Sequence, residues 1–430
     1  MSQFGLVLSL GAKAQTNEAS VLGSLLSDVR VSERLDRRSG EEPRKTREVS
    51  FLGSLLSDAR ISEKFDRRLG EEIRGTREVA EREGLQLSLV VAAAYDDNIF
   101  RTADDAEEDI VVSVAPRLTY KLGQPDGPVS LEASYEAAGI LYFDNNDESR
   151  IDQRAQVRAS LRRKLLRFAY EGGWANLGDP DSDVGDIADR IEWGHRVIVT
   201  WEPRRKTSGE IFAEWSQVDQ DASNLNDVQE ASAGANLTYR YSSKTQVGVG
   251  YEIGQVDVDG AAAQEFHRVT GSLDWRPRRK ISISLDAGVE FRDFGGGESN
   301  VEPVFEGRIS WRPRFGTEFY LSGYAREEAS AFLDEQNFTV FGGVLGWSQR
   351  IRGPWSARIE LGAEEADYLS TVGAFADRED TLVFVRATAD YVLREGNTAQ
   401  FFYQWTDSDS SDEDFGFANQ EVGVSVQSVF

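Results

Sequence analysis

Apolar and polar side chains alternate with a period of two over most of this chain, from about residue 85 to the C-terminus. The clearest run is Ile281 to Phe291, in which the odd-numbered residues are apolar or Ala and the even-numbered residues are Ser, Asp, Gly and Glu. Successive side chains of a β-strand point to opposite sides, so each run predicts a strand with one apolar face and one polar face. The runs are about 10 to 14 residues long, which exceeds a typical soluble strand and suits a tilted bilayer crossing.

Aromatic residues recur where the predicted strands end. They are Tyr120, Trp201, Tyr241, Trp275, Trp311, Trp347 and Tyr391. Amphipathic rings favour the boundary between lipid and water, so this recurrence predicts a girdle at one membrane interface. A soluble β-sandwich also alternates, but it has no reason to place aromatic rings in this way.

The connections between the predicted strands are of two kinds that take turns along the chain. Short basic connections include Arg162-Arg-Lys164, Pro203-Arg-Arg-Lys206 and Pro277-Arg-Arg-Lys280. Longer acidic connections include Asp144-Asn-Asn-Asp-Glu148 and residues 407 to 414. Short periplasmic turns that alternate with longer outer loops are typical of bacterial outer-membrane barrels.

The fold class predicted from these features is all-β, a transmembrane antiparallel up-and-down β-barrel over residues 85–430. Runs bounded by the turns give about 18 strands, and 16 is the alternative because the first two hairpins are the weakest. Either number is even, as a barrel with both ends on one side requires. Val422, Val424, Val426, Ser428 and Phe430 share one face of the last predicted strand. A terminal Phe430 resembles the recognition signal that the barrel-insertion machinery uses.

Composition excludes several other classes. The chain has 74 acidic and 48 basic residues, a net charge of -26, and a mean hydropathy of -0.45. This balance argues against nucleic-acid binding, which uses clustered cations. The longest apolar stretch of the body, Leu89 to Tyr95, is far shorter than the roughly 20 residues of a membrane-spanning helix. The chain has no cysteine, which removes disulfides and thiolate metal sites.

The N-terminal region has a different composition. Residues 1–14 predict a truncated signal peptide, with a short apolar core and Ala12-Lys13-Ala14 as a cleavage pattern. Residues 15–84 predict a polar periplasmic leader, which contains a tandem repeat at an offset of 30: Val21 to Arg30 returns as Phe51 to Arg60. Two charged copies are too few for a solenoid, so a flexible leader is favoured over a marginal helix pair.

Charged residues of both signs fall on the polar face of the predicted strands. The candidates for lining a pore are Arg154, Arg158, Arg196, Arg240, Asp286, Glu290, Glu306, Arg308, Arg326, Arg358, Glu360, Arg386 and Asp390. Opposed charges could orient a passing solute, whereas simple solvation of a barrel interior would require the same residues. Catalysis would need His195 or His267, and both fall on apolar faces directed at lipid. No enzyme activity, metal or cofactor is predicted.

One short motif resembles a known family. Tyr95, Asp96, Asp97, Asn98, Ile99 and Phe100 follow the first predicted strand and resemble the opening motif of the β-barrel porin 2 family of outer-membrane proteins. In that family the motif leads from the first strand into the first outer loop. The resemblance implies a link with exopolysaccharide systems, while the duplicated leader departs from the family pattern.

The sequence as a whole predicts an outer-membrane channel for passive passage of hydrophilic solutes. Two alternatives stay open, an accessory barrel in exopolysaccharide export and a structural or adhesive surface barrel without an open pore. The expected partners are the lipid bilayer and lipopolysaccharide, the insertion machinery and, for the export alternative, polysaccharide; nucleic acid is not a partner.

Overall fold

The computed structural model describes residues 83–124, 127–181, 186–221, 225–294, 299–329, 336–370, 378–394, 396–412 and 415–430. The predicted signal peptide and, up to residue 82, the predicted leader with its repeat lie outside these ranges, so both stay predictions. Among the described residues, no helix is long and apolar enough to cross a bilayer.

The described chain forms eighteen strands, which confirms the larger of the two predicted numbers. The strands are β1 Gly84–Asp96, β2 Asp109–Leu122, β3 Val129–Tyr142, β4 Arg150–Arg163, β5 Leu166–Asp181, β6 Asp186–Arg204, β7 Thr207–Gln220, β8 Val228–Arg240, β9 Thr245–Val258, β10 Gln264–Arg278, β11 Ile281–Asp293, β12 Ser299–Arg314, β13 Thr317–Ala329, β14 Gln336–Arg352, β15 Trp355–Ser370, β16 Glu379–Arg394, β17 Asn397–Ser410 and β18 Phe417–Val429. One short 3-10 helix, Asn146–Glu148, lies in the loop between β3 and β4.

Every strand pairs antiparallel with its neighbours in sequence, and β18 pairs with β1 to close the barrel. The closing seam runs in register from Ser88 opposite Val429 to Asp96 opposite Glu421. Next to the pair of Ser88 and Val429, the Phe430 N–H donates to the Leu87 carbonyl at 2.8 Å, which extends the seam by one residue. Closure satisfies the strand backbone internally, as a hydrocarbon environment requires.

The two faces of each strand meet different surroundings. On β11 the odd-numbered side chains Leu285, Val289 and Phe291 are exposed on the outer surface, while Glu290 and Arg292 on the even-numbered face are buried inside. The same alternation continues around the barrel and produces an apolar outer belt. Period-two patterning therefore fixed which side of each strand faces outward.

The two ends of the barrel differ in their connections. Tight turns join the strands at the end that carries both termini of the barrel, and a β-bulge precedes several of them, at Trp201/Arg204, Trp275/Arg278 and Trp311/Arg314. Gly316, at φ +73°, supplies the left-handed conformation that one of these turns needs. The predicted aromatic girdle lies on outward positions near this end, so we assign it to the periplasmic interface.

Candidate functional site in the barrel lumen

The polar inner face of the barrel is the candidate functional site. The structure places each of the predicted pore-lining charges, from Arg154 on β4 to Asp390 on β16, on the inward face of its strand. Their side chains lie opposite the exposed apolar residues of the outer belt. Whether they line a conducting pore stays a prediction, but the geometry brings many of them together in ion-paired groups.

The first group surrounds Glu290 on β11. Its carboxylate, which is fully buried, accepts from Arg268 of β10 at 2.5 Å and from Arg292 at 2.6 Å. Arg268 also donates to Glu252 of β9 at 3.1 Å. Arg292 further donates to Gln264 at 3.1 Å. Arg292 also approaches the buried Glu327 of β13 at 3.3 Å, so the predicted Glu290 is the centre of a network that reaches from β9 to β13.

Sequence analysis missed the two arginines that bind Glu290. Arg292 lies two residues from Glu290, and Arg268 lies directly opposite it in the register of β10 and β11. The i, i+2 spacing was sufficient to identify Arg292 as inward-facing. Arg268 could be matched to Glu290 only once the register between β10 and β11 was known.

A second group joins β12 through β17. Arg386 donates to Glu360 at 3.2 Å and to the Gln404 side-chain carbonyl at 3.1 Å. The Tyr320 hydroxyl donates to the other oxygen of the Glu360 carboxylate. Arg308 lies over the Tyr320 ring at 3.9 Å from its centroid, a cation–π geometry. Three of the predicted charges, Arg308, Glu360 and Arg386, therefore belong to one network.

Smaller ion pairs occupy the opposite part of the wall. Arg154 of β4 approaches Glu136 of β3 at 3.7 Å, and Arg196 of β6 approaches Glu214 of β7 at 3.6 Å. Near the outer end, Arg190 donates to the buried Glu192 at 2.8 Å. The first two pairs place opposite charges on adjacent strands, as cross-strand stabilisation favours, and the third places them two residues apart on the inward face of β6.

Inward aromatic rings lie flat on glycines of the neighbouring strand. The register places these pairs directly opposite each other: Phe212 and Gly234, Phe266 and Gly254, Tyr320 and Gly346, Tyr324 and Gly342, Phe384 and Gly362, Phe402 and Gly423. A Cβ built on any of these glycines would come within 2.5 Å of the ring. The missing side chain lets the ring cover the strand backbone, which strengthens a sheet at glycine positions.

This arrangement changes the interpretation of the lumen aromatics. The alternation of β13 and β17 predicts that Tyr320, Tyr324 and Phe402 face the lumen, where aromatic rings would favour stacking on sugars, and they do face inward. They are only 2 to 4% exposed, however, because each covers a glycine. Their faces serve the wall of the barrel rather than a passing ring.

The inward face of the closing seam carries few charges. β1 contributes Val90, Ala92 and Ala94, and the ring of Phe402 reaches across Gly423 to pack on both alanines. Amides and hydroxyls of β17 and β18, such as Gln404 and Asn419, continue this wall. The lumen is therefore lined by a charged wall along most of the strands and by a weakly charged wall at the seam.

The Tyr95–Phe100 motif fastens the first outer loop to the seam. The Asp97 carboxylate accepts from the Gln420 N–H at 2.6 Å, and the Asp97 N–H donates to the Gln420 carbonyl at 3.1 Å. Asn98 donates to the carbonyls of Ala418 at 3.0 Å and Thr102 at 2.9 Å. Asp96 accepts from the Asn419 amide at 2.5 Å. The motif thus joins the N-terminal strand to the C-terminal strand at their outer ends.

The apolar part of the motif turns into the barrel. Ile99 is 1% exposed and packs with the inward-facing Val111, Ile140 and Tyr142, and Phe100 packs against this cluster. The Tyr95 hydroxyl, on the outside, donates to the Glu108 carboxylate. β1 ends at Asp96, so the motif leads from the first strand into the first outer loop as the family resemblance implies.

Both histidines lie on the outer surface of the barrel, as their apolar faces predict. His195 contacts the Tyr170 hydroxyl through Nδ1 at 2.9 Å and stacks on Trp215. His267 makes the equivalent contact with Tyr251 at 2.8 Å. These aromatic and histidine clusters lie on the outer surface, away from the polar inner face.

An antiparallel barrel with an even number of strands, an apolar outer belt and an aromatic girdle is the architecture of bacterial outer-membrane proteins. This chain is an outer-membrane β-barrel. No protein-family model matches it, and no curated protein matches it. The β-barrel porin 2 resemblance therefore rests on the Tyr95–Phe100 motif alone and stays a prediction.

The chain is weakly similar to solved proteins of Pseudomonas aeruginosa and Acinetobacter baumannii. OpdK of Pseudomonas aeruginosa, solved with vanillate, is 12% identical, with 80% of this chain and 99% of that chain covered and a TM-score of 0.47. OccK2 (OpdF) of the same organism, solved with glucuronate, is 10% identical, with 80% and 98% covered and a TM-score of 0.48. OccAB4 of Acinetobacter baumannii is 12% identical, with 81% and 99% covered and a TM-score of 0.46. Similarity at this level carries no information about a solute.

Proposed function

We propose that this barrel is a passive channel for hydrophilic solutes across the outer membrane. The observation that supports it best is the contrast between an apolar outer surface and a polar, charged inner face around a closed ring of strands. Within the described ranges, every strand belongs to that ring, and the one short helix lies in an outer loop. A barrel of this strand number encloses a space wide enough for an aqueous passage.

The charge pairs of the inner face suit passage rather than tight binding. Arg386 with Glu360 and Arg268 with Glu290 already satisfy each other, so a solute would need to compete with an existing partner. Paired charges keep the wall hydrated at its surface without a deep energy well for one ion. Weak, repeated contacts are what conduction requires.

Conductance of the purified full chain in planar lipid bilayers tests the proposal. We expect discrete steps on the order of a nanosiemens in molar salt, as for other wide barrels. Arg358→Gln, on the inner face, should change the ion selectivity, whereas Leu361→Ala on the lipid face should leave it unchanged. Inserted protein that stays silent at every voltage would refute the channel.

A closed surface barrel is favoured by a different observation. The inward side chains of Tyr142, Phe266 and Glu290 are fully buried by their neighbours, and Ile99 from the first outer loop packs over the inner wall. Such packing could fill the interior and leave the acidic outer loops as the functional surface. Export of exopolysaccharide rests only on the motif resemblance. Loss of surface polymer on deletion, with solute uptake unchanged, would favour that role.

A further inference from the structure

We infer that the barrel is an electrically bipolar channel, whose acidic outer mouth admits cationic solutes from outside and whose basic periplasmic mouth admits anionic solutes from within. This inference rests on the channel function proposed above. The inference goes beyond that function because it assigns a charge class of solute to each direction of passage. The observations that carry it are the opposite charges of the two rims and the pairing of the charges between them.

The periplasmic rim is basic. We define the basic rim as residues 162–167, 202–206, 242–244, 276–280, 312–316 and 350–352, in which Glu202 is the single acidic residue among many Arg and Lys. Lys244 and Lys280 donate to the carbonyls of Pro277 and Pro313 in the next turn. These partners are neutral, so the bonds fix the positions of the lysines without cancelling their charge.

The outer rim is acidic. We define the acidic rim as residues 103–109, 143–148, 219–221, 257–260 and 407–412, which contain Asp and Glu but no basic residue. Several arginines near this end are already held by carboxylates on the inner face. Arg150 binds Asp152 at 3.2 Å, Arg190 binds Glu192 at 2.8 Å and Arg378 binds Asp380 at 2.6 Å. The charge of the acidic rim is therefore not offset by the arginines beneath it.

The two rims act independently because they are far apart on the scale of electrostatic screening. A tilted strand of the barrel spans roughly 30 to 45 Å at about 3.3 Å per residue. The Debye length is about 10 Å at 0.1 M salt. Between the rims, opposite charges are paired, as at Glu290 and Glu360. Each mouth therefore sets its own ion population, cations at the outer mouth and anions at the periplasmic mouth.

Opposite fixed charges at the two mouths make the current depend on its direction. When the outer side is positive, cations enter through the acidic outer mouth, which concentrates cations. Anions enter through the basic periplasmic mouth, which concentrates anions, so the concentration of both ions in the lumen rises. When the polarity is reversed, both kinds of ion are drawn out and the lumen is depleted. The larger current should therefore flow with the outer side positive.

Single-channel recordings of the full chain test this inference. We expect the currents at opposite voltages of equal size to differ by about twofold or more in 0.1 M KCl, and to become nearly equal in 1 M KCl, where the Debye length is about 3 Å. Asp105→Cys, in a chain without native cysteine, allows a bulky impermeant thiol reagent to identify which chamber faces the outer loops.

A charge-neutralised rim provides the decisive comparison. The exposed turn residues Arg163, Lys164, Arg205 and Lys206 changed together to Gln should reduce the asymmetry by half or more. The matched control, Arg163→Lys with Arg205→Lys, keeps the charge and should keep the asymmetry. Channels that conduct equally in both directions at 0.1 M KCl, or whose asymmetry survives neutralisation, would overturn the bipolar inference but leave the channel function intact. Absence of any conductance would instead overturn the channel function on which it rests.

Discussion

Replacement of Gly346 by Ala tests whether the rings that lie on glycines stabilise the barrel. A Cβ at Gly346 would lie 2.0 Å from Cζ of Tyr320 and 2.1 Å from its Cε1. The ring cannot shift without cost, because Arg308 lies over it and its hydroxyl donates to Glu360. We therefore expect Gly346→Ala to displace Tyr320 and to break its bond with the Glu360 carboxylate.

The size of the effect follows from three contributions. Overpacking of a well-packed site costs about 1 to 3 kcal/mol. Loss of a hydrogen bond to a charged group adds about 1.5 to 3 kcal/mol. The lower entropy of the unfolded chain after a Gly to Ala change returns about 0.4 to 1 kcal/mol. We expect the free energy of unfolding to fall by about 2 to 5 kcal/mol.

Unfolding of the full chain in lipid vesicles by denaturant, followed by tryptophan fluorescence, measures this loss. Gly271→Ala is the matched control, since the nearest atom to its new Cβ is 3.8 Å away and its position faces outward. In a Tyr320→Ala background, Gly346→Ala should cost almost nothing, which gives a coupling energy of about 2 kcal/mol or more. An equal cost in both backgrounds, or a loss no greater than that of Gly271→Ala, would refute the explanation.

Three other variants test separate features of the wall. Glu290→Gln should lower the free energy of unfolding by about 3 to 5 kcal/mol, because it leaves the 4% exposed Arg292 without its main counter-charge; the exposed Glu265→Gln should change it by less than about 0.5 kcal/mol. Asn98→Ala should expose the peptide bond after the buried Arg101 to trypsin in the folded barrel, while intact resistance would show that the loop does not depend on Asn98. Phe430→Ala should slow assembly in cells but leave the folded stability almost unchanged, since the ring is 72% exposed; unimpaired assembly would reject its role as an insertion signal.

The strands themselves could be predicted from the sequence almost residue by residue. The pattern predicts strand starts near residues 129, 228, 245, 264, 281, 317 and 355, which are the residues where β3, β8, β9, β10, β11, β13 and β15 begin, and the other strands begin within about three residues of the expected start. The reason is that each strand meets lipid on one side and a polar interior on the other, so the pattern repeats along its whole length. Pro and basic residues then mark the periplasmic turns.

The contacts inside the lumen could not be predicted in the same way. The sequence identified Glu290 and Glu360 as inward-facing, but not Arg268 or Gln404 as their partners. Such pairs depend on the register between strands that are separated in sequence, and turn length alone does not specify that register for every hairpin. The contact of Asp97 with Gln420 is even harder to predict, since it joins the N-terminal and C-terminal strands of the barrel.

The two faces of the barrel therefore carry different kinds of information. On the outer face, any apolar side chain satisfies the lipid, so Val, Leu and Ile are nearly interchangeable there and the pattern alone is sufficient. On the inner face, Tyr320 requires glycine at position 346, and Glu290 requires Arg268 opposite it on β10 and Arg292 two residues further along β11. A slip of one residue would turn these partners toward lipid, at the cost of unpaired charge in hydrocarbon. The outer surface alone would be compatible with many strand registers. Specific pairing inside the lumen therefore fixes the register of the barrel.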